Sequence, residues 1–250
     1  MLSRQRYALS ILLFLLTGIS IHAADYAIVV STDTAKDEDW SSVVTALQAK
    51  HDGTVITYDA SVNDALAALK ERFPRYACFV ATAAEANRDF VKDVHQLTRK
   101  LDDDAYTDCL WGILTGLNAA DALKIAQHDQ SLTVHKVAAG TELPMEMIEE
   151  GKWFCELQQH RMVEKVAGSA AEQKKGPADT TKALVDTLNE YHVDLFVSSG
   201  HATERDWQLG FRYENGYFRS KAGQLSGHDT AGEVFPINSP NPKVYLPIGN

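Results

Sequence analysis

The sequence predicts an α/β protein with two subdomains, in which mainly parallel sheets are flanked by helices. Between residues 26 and 140, apolar strand-like runs alternate with helical patterns. The alternation loosens between residues 142 and 178 and resumes at Asp179. Strands that alternate with helices in this way form βαβ units, and βαβ units build parallel sheets.

The first subdomain is expected to span residues 24–141 and to hold one parallel-rich sheet. Its predicted strands are YAIVVS (26–31), TVITYD (54–59), ACFVAT (77–82), CLWGILTG (109–116) and LTVHKVAA (132–139). The intervening helices are predicted from apolar residues at helical spacing, as in the stripe of Phe90, Val94, Leu97 and Leu101. Asn118 is expected to cap the helix before the fifth strand, because its side chain can accept a backbone N–H there.

Residues 142–178 are expected to connect the two subdomains as a helix followed by a loop. The helix is predicted in MEMIEEGKWFCELQQH (145–160). The loop is predicted in GSAAEQKKGPAD (168–179), because Gly, Ser and Pro residues interrupt regular structure.

The second subdomain is expected to span residues 179–250 and to be incomplete. A helix leads into a buried strand that starts at Leu195, and Asn215-Gly216 between two strand-like runs predicts a hairpin turn. The last strand, 243–248, has no helix after it to cover the sheet, although parallel sheets normally need one. We therefore expect a C-terminal truncation, with strands 195–198 and 243–248 as parallel neighbours.

Residues 1–23 have the layout of a secretory signal peptide. Arg4 and Arg6 give a basic start, residues 8–21 form an apolar run, and Ala23 offers a small residue for cleavage. The apolar run is short for a membrane span. The protein is therefore expected to be secreted or periplasmic, and the alternative is an uncleaved N-terminal anchor.

The charge of the chain argues against some partners. The net charge of −10 becomes −12 when Arg4 and Arg6 leave with the signal peptide. Phosphate backbones are bound by clustered Lys and Arg, so nucleic acid is not an expected partner. No membrane contact is expected beyond the export signal.

The cysteines do not form a metal motif. Cys78 and Cys109 lie in predicted strands and are expected to be buried, and with Cys155 they make no CxxC pair. No metal and no cofactor is therefore expected. Calcium at Asp102-Asp103-Asp104 is the alternative to an ordinary solvated turn.

His201 is the strongest candidate for chemistry. It follows the apolar run Leu195-Phe196-Val197 and the exit Ser198-Ser199-Gly200. Ligands of open α/β sheets bind at the carboxyl ends of the strands, which is where this histidine is expected. The chain has no G-x-S-x-G elbow, so a serine nucleophile is not supported.

A buried strand ending in Ser-Gly-His, then a hairpin and a second buried strand, resembles the gingipain-like cysteine peptidases of the caspase–gingipain fold group. LDDDAYTDCLWGILTG (101–116) is similar to a segment of their first subdomain, so the likeness covers most of the chain. The resemblance implies two caspase/gingipain-like subdomains. Because caspases place the histidine roughly 50 residues before the cysteine, it also implies a nucleophile cysteine directly after Asn250.

The resemblance implies a peptide or protein substrate and a Cys-His dyad that hydrolyses peptide bonds. His201 would protonate the leaving amine, and the N–H of Ala202 would stabilise the oxyanion, although the family usually has glycine there. Asp206 or Glu204 would orient His201, the alternative being solvated loop charges. Trp207 would line the substrate pocket or pack under the hairpin. Without the cysteine, the 250 residues are expected to be inactive.

Two other functions remain open. A non-catalytic peptidase-like module that binds peptide or protein partners would keep the same fold and tolerate any residue after the last strand. A periplasmic small-ligand-binding domain would place a cleft between two lobes and need no special geometry at His201.

Export is directly testable. Expression of the full reading frame with its N-terminus intact should yield exported protein whose first residue lies near Ala24, because the cleavage site follows Ala23. N-terminal sequencing of the exported fraction checks this. Soluble cytoplasmic protein that still begins at Met1 would contradict it.

Overall fold

The computed structural model describes residues 25–210 and 212–249, which form an α/β protein. The chain divides into two compact units, of which unit 1 ends at Asp129 and unit 2 begins at Gln130. Within the described ranges, no helix is both long and apolar enough to cross a membrane. The predicted signal peptide lies outside the described residues.

Unit 1 is a parallel sheet with helices on both faces, as the sequence predicts. Its strand order is β2-β1-β3-β4, and each neighbouring pair is parallel. Its elements are β1 (Tyr26–Ser31), α1 (Thr32–Lys36), α2 (Glu38–His51), β2 (Thr54–Tyr58), a 3-10 turn (Val62–Ala65), α3 (Leu66–Arg72), β3 (Tyr76–Val80), α4 (Arg88–Leu97), β4 (Leu110–Leu114) and α5 (Ala119–Gln127).

Strand β1 supplies both cores of unit 1. Ala27 and Val29 pack among residues of α3 and α4, whereas Ile28 and Val30 pack among residues of α2 and α5. Successive side chains of a strand point to opposite faces, so an almost continuous apolar run is what a sheet covered on both sides requires.

Side-chain caps fix where the helices of unit 1 begin. Asn118 Oδ1 accepts the backbone N–H of Asp121 at 3.1 Å, which confirms the predicted cap of α5. Asn87 caps α4 in the same way through the N–H of Phe90, at 3.0 Å. These caps satisfy N–H groups that have no partner within the first turn.

Unit 2 contains a mixed sheet and an antiparallel meander. The mixed sheet has the order β14-β9-β5-β6-β7-β8, and the meander has the order β10-β11-β12-β13. The elements are β5 (Lys136–Ala139), a 3-10 turn (Met145–Met147), β6 (Glu150–Phe154), β7 (Arg161–Lys165), β8 (Glu172–Lys175), α6 (Thr181–Glu190), β9 (Leu195–Gly200), β10 (Asp206–Gln208), β11 (Tyr217–Lys221), β12 (Gln224–His228), β13 (Val234–Ile237) and β14 (Val244–Gly249).

The predicted domain boundaries were wrong. Strand β5 was expected in the first subdomain, but it pairs with β6 and β9 in unit 2, so residues 26–140 do not form one sheet. The apolar run of β5 shows that it is buried but not which sheet buries it. Residues 142–178 likewise belong to unit 2 and are not a connection between units.

The predicted helix over 145–160 was also wrong. This segment forms a 3-10 turn, strand β6 and the loop into β7. Gly151 permits the close pairing of β6 with β5, since a Cβ at this position would lie 2.6 Å from the carbonyl oxygen of Val137 on β5. The predicted loop 168–179 contains β8, whose residues are all exposed, so it carries no apolar signal.

Asp194 joins the first residues of three parallel strands. Its Oδ2 accepts the N–H of Lys136 at 2.9 Å, and its carbonyl oxygen accepts the N–H of Val244 at 2.8 Å. Strand β14 pairs with β9 in parallel from Val244↔Leu195 to Gly249↔Gly200. The predicted adjacency of the two strands is therefore confirmed.

Helix α6 lies between the mixed sheet and the meander. Leu184, Val185 and Leu188 pack in one cluster with Phe196 of β9 and Phe218 of β11. These large apolar side chains are nearly inaccessible to solvent, so their burial stabilises unit 2 by roughly 1.5–3 kcal/mol per side chain.

The predicted hairpin exists, but Asn215-Gly216 is not a two-residue turn. Strands β10 and β11 are antiparallel and are separated by residues 209–216. The Asn215 side chain bonds instead to Thr180, accepting its N–H at 2.8 Å and donating to its Oγ1 at 2.7 Å. This residue therefore anchors the loop to the start of α6.

Gly200 ends β9 in a conformation that only glycine adopts easily. Its φ is +143°, and a Cβ at this position would lie 2.4 Å from the carbonyl oxygen of Gln208. The backbone of β10 thus occupies the space of a side chain. The glycine before His201 is required because the chain leaves the sheet directly against this strand.

Replacing Gly200 should destabilise unit 2. We expect Gly200→Ala to cost at least about 2 kcal/mol of unfolding free energy, because it adds both backbone strain and a clash with a carbonyl. Gly140→Ala is the matched control, since Gly140 also follows a strand of this sheet but its Cβ would make only an ordinary 3.5 Å contact with Leu184. Urea denaturation measures both, and equal losses would contradict the explanation.

Candidate functional site

The carboxyl edge of the mixed sheet gathers four strand ends. Strands β14, β9, β5 and β6 are mutually parallel, so the residues that follow them lie along one edge. In sheet order the edge holds Gly249 at the end of β14, then His201, Gly140 with its following loop, and Cys155. The edge is where ligands of open α/β sheets bind.

The loop after β9 holds the backbone of His201 in place. The side chain of His201 is exposed, while its carbonyl oxygen accepts the N–H of Gln208 at 2.9 Å. On the other side of the Ala202–Trp207 bridge, the N–H of Thr203 donates to the backbone carbonyl oxygen of Asp206 at 2.9 Å. His201 therefore lies at the start of a short hairpin that two backbone hydrogen bonds close.

Ala202 keeps its candidate role as an oxyanion donor. The two bonds that make the Ala202–Trp207 bridge come from Gln208 and Thr203, so the bridge does not use the N–H of Ala202 itself. The residue is exposed. A backbone donor of this kind can stabilise a developing negative charge on a substrate oxygen.

Asp206 forms an ion pair with Arg219. Arg219 donates from Nε to Oδ1 at 2.7 Å and from Nη2 to Oδ2 at 2.9 Å, a bidentate pair. This hydrogen bonding holds the pKa of Asp206 below its usual value. The structure therefore shows Asp206 orienting Arg219, and its expected role in orienting His201 stays a prediction.

Glu204 and Trp207 have different surroundings. The Glu204 side chain is exposed and lies 4.0 Å from Arg205 in a loose ion pair. Trp207 packs against the core between α6 and the meander, with its ring 6.1 Å from the ring of Tyr245. Trp207 thus packs under the hairpin, the second of the two roles that the sequence suggests.

A hydroxyl pair that the sequence does not reveal joins the two strands at this edge. Ser198 Oγ and the Tyr245 hydroxyl lie 2.9 Å apart, and Ser198 is buried. Burial raises the pKa of Tyr245, while the bond to Ser198 acts in the opposite direction. The pair adds a side-chain hydrogen bond to the backbone ladder between β14 and β9.

A second polar group on the same edge also escapes sequence analysis. Glu142 Oε1 accepts from the Cys155 thiol at 2.9 Å and from Arg161 Nη1 at 2.7 Å. Next to it, Thr141 donates to Glu156 Oε1 at 2.6 Å. Only the tertiary fold brings these residues together, since they come from three different segments.

Cys155 is poorly suited to act as a nucleophile. The residue is 1% exposed, and its pKa is raised by burial and by the hydrogen bond to Glu142. Cys78 and Cys109 are buried as expected, and burial raises the pKa of Cys109 to about 11. Nucleophilic attack requires the thiolate, which all three environments disfavour.

In unit 1, the predicted acidic turn brings Asp102 and Asp104 together with Asp108. One carboxylate oxygen of each lies within 4.8 Å of the others, close enough to share a cation. However, Asp108 accepts the N–H of Leu101 at 2.7 Å, and Asp102 accepts that of Asp104 at 2.8 Å. The carboxylates therefore stabilise the turn itself.

The role of Asp206 can be tested through pH. Its folded pKa lies below the unfolded value, so its contribution to stability is present above about pH 4 and is lost as the pH falls further. We expect Asp206→Asn to lower the unfolding temperature at neutral pH and the difference from wild type to shrink towards zero in acid. Glu204→Gln, at an exposed neighbour, should show no such difference. A constant difference at every pH would contradict the ion-pair explanation.

Comparison with known proteins does not assign this chain to a family: no family model, no curated protein and no solved structure matches it. Its function must therefore be inferred from its own residues.

Proposed function

We propose that unit 2 carries the histidine half of a cysteine endopeptidase site of the gingipain-like kind. In this proposal His201 is the acid–base residue and Ala202 donates its N–H to the oxyanion. The nucleophile is a cysteine that follows residue 250 in the natural gene product. The 250 residues alone are then inactive, because their own cysteines are buried and protonated.

One observation carries the proposal: β14 and β9 are parallel neighbours whose pairing extends to Gly249↔Gly200. Adjacent strands are about 4.8 Å apart, so β9 and β14 end side by side at the same sheet edge. A histidine directly after β9 and a cysteine two residues after the end of β14 can approach within hydrogen-bond reach. This closeness is what activation of a thiol by an imidazole requires.

The chemistry follows from these positions. The thiolate attacks the carbonyl carbon of a peptide, and the oxygen becomes negatively charged near the N–H of Ala202. When the C–N bond breaks, protonated His201 gives its proton to the departing amine, leaving a thioester. Water then attacks the thioester and gives a proton to His201, and the C–S bond breaks, which releases the carboxylic acid and restores the thiolate beside protonated His201.

The pairing of Asp206 with Arg219 favours a second function. The Asp206 carboxylate, close to His201 in sequence, forms a bidentate ion pair with Arg219 of the meander. A non-catalytic module that binds peptide or protein partners at the same edge would use this fixed pair of side chains as part of its binding surface. Such a module also needs no cysteine after β14.

The proposal is tested on the natural chain extended beyond residue 250. We expect a cysteine at the start of the extension and hydrolysis of an unbiased library of peptide substrates. His201→Ala should lower kcat/KM at least about a hundredfold, since general acid–base catalysis typically contributes that much. His135→Ala is the matched control, because His135 is an exposed histidine of the same unit and pairs with Glu149.

Thiol alkylation separates the catalytic function from the binding function. A neighbouring imidazolium stabilises a thiolate, so the new cysteine should react with iodoacetamide faster than in the His201→Ala variant. Full activity in His201→Ala, or an extension without a cysteine at this point, would overturn the peptidase proposal. Peptide binding without hydrolysis would then support the non-catalytic module.

A further inference from the structure

The outward face of the meander presents a row of polar side chains. Residues directly opposite one another on paired strands share a face, and the pairs Asp206↔Arg219, Arg219↔Ser226 and Tyr217↔His228 align across three strands. The alternate residues, including Phe218, are buried against α6. The meander therefore has one face packed against the core of unit 2 and one face composed largely of hydrogen-bonding groups.

This polar face lines a cavity of about 760 Å³. Arg219 and Lys221 contribute positive charges, and Ser226, His228 and Gln224 contribute hydrogen-bonding groups. No Asp or Glu is among the described residues that line the cavity. Asp206 compensates the charge of Arg219, so Lys221 is the net positive charge of this wall, in a chain whose own net charge is −10.

The Arg219 guanidinium is held in a fixed orientation. Asp206 takes one edge of the group through Nε and Nη2, and the Arg219 Cζ lies 5.1 Å from the centre of the Tyr217 ring. Among the described residues, Asp206 is the hydrogen-bonding partner of this side chain, so the Nη1 donors remain for another acceptor. An arginine held in this way loses less entropy when it binds an anion.

Ser226 and His228 extend the same group of donors. The Ser226 hydroxyl lies 3.0 Å from His228 Nε2, and the imidazole stacks on Tyr217 with the ring centres 4.9 Å apart. Tyr217 therefore lies in contact with both Arg219 and His228. The cation, the imidazole and the hydroxyl form one connected set on the cavity wall.

From this arrangement we infer that the meander cavity binds a small organic anion through a phosphate or carboxylate group. In this arrangement the Nη1 donors of Arg219 and the ammonium of Lys221 bind the charge. His228 Nε2–H donates to the Ser226 oxygen, so that the Ser226 hydroxyl donates its own proton to the anion. Guanidinium groups suit phosphate and carboxylate because both offer several oxygens in one plane or cluster. The cavity volume falls in the range of small-molecule sites, so it has room for the organic part as well.

This inference is tested by NMR on the full chain. ¹⁵N-labelled protein is titrated with inorganic phosphate and, separately, with succinate, at constant neutral pH and constant ionic strength. Saturable shifts confined to the amides of β11 and β12 are the expected result. Stronger binding of phosphate would identify phosphorylated ligands, and stronger binding of succinate would identify carboxylates.

Variants distinguish the site from general attraction of anions. Lys221→Gln and Ser226→Ala should each weaken binding by about threefold to tenfold, as expected for the loss of one hydrogen bond to a charged group. Lys175→Gln removes an exposed charge elsewhere in unit 2 and should change the affinity less than about twofold. Shifts that never saturate would overturn the inference, as would a loss of affinity in Lys175→Gln equal to that in Lys221→Gln. The inference also fails if neither phosphate nor succinate binds.

Discussion

The need to cover strand β9 on both edges and both faces organises unit 2. Its edges are paired with β5 and β14. On one face Phe196 packs with α6 and the meander, and on the other Val197 packs with Trp153 of β6. The exit of the strand is fixed in turn by the contact between Gly200 and the backbone of β10. The direction in which the chain leaves the sheet at His201 is therefore a consequence of core packing, not of the loop alone.

Much of this arrangement could be predicted from local patterns. The alternation of strands and helices in unit 1, the cap at Asn118 and the pairing of the last two predicted strands follow from residue spacing and from the rules of parallel sheets. Such patterns report how deeply a segment is buried and with what period. These quantities are properties of a few neighbouring residues, so a single sequence contains them.

The errors arise where the deciding contact is distant in sequence. The sheet to which β5 belongs depends on its pairing with β9, which lies more than fifty residues away. Strand β8 is fully exposed, so no apolar period marks it. Asp206 looks like any loop acid until the register of β10 places it opposite Arg219. The polar group around Glu142 is equally invisible, because three separate segments supply it.

The parallel pairing of β14 also bears on self-association. The N–H of Val244 bonds to Asp194, towards β9, and N–H groups alternate in direction along a strand, so position 247 directs its backbone nitrogen away from β9. That position is Pro247, which has no N–H to offer. Within the described residues β14 is the last strand of its sheet, and its outer side thus lacks a donor that another chain would need to extend the ladder. A proline here costs the native pairing nothing and discourages edge-to-edge aggregation.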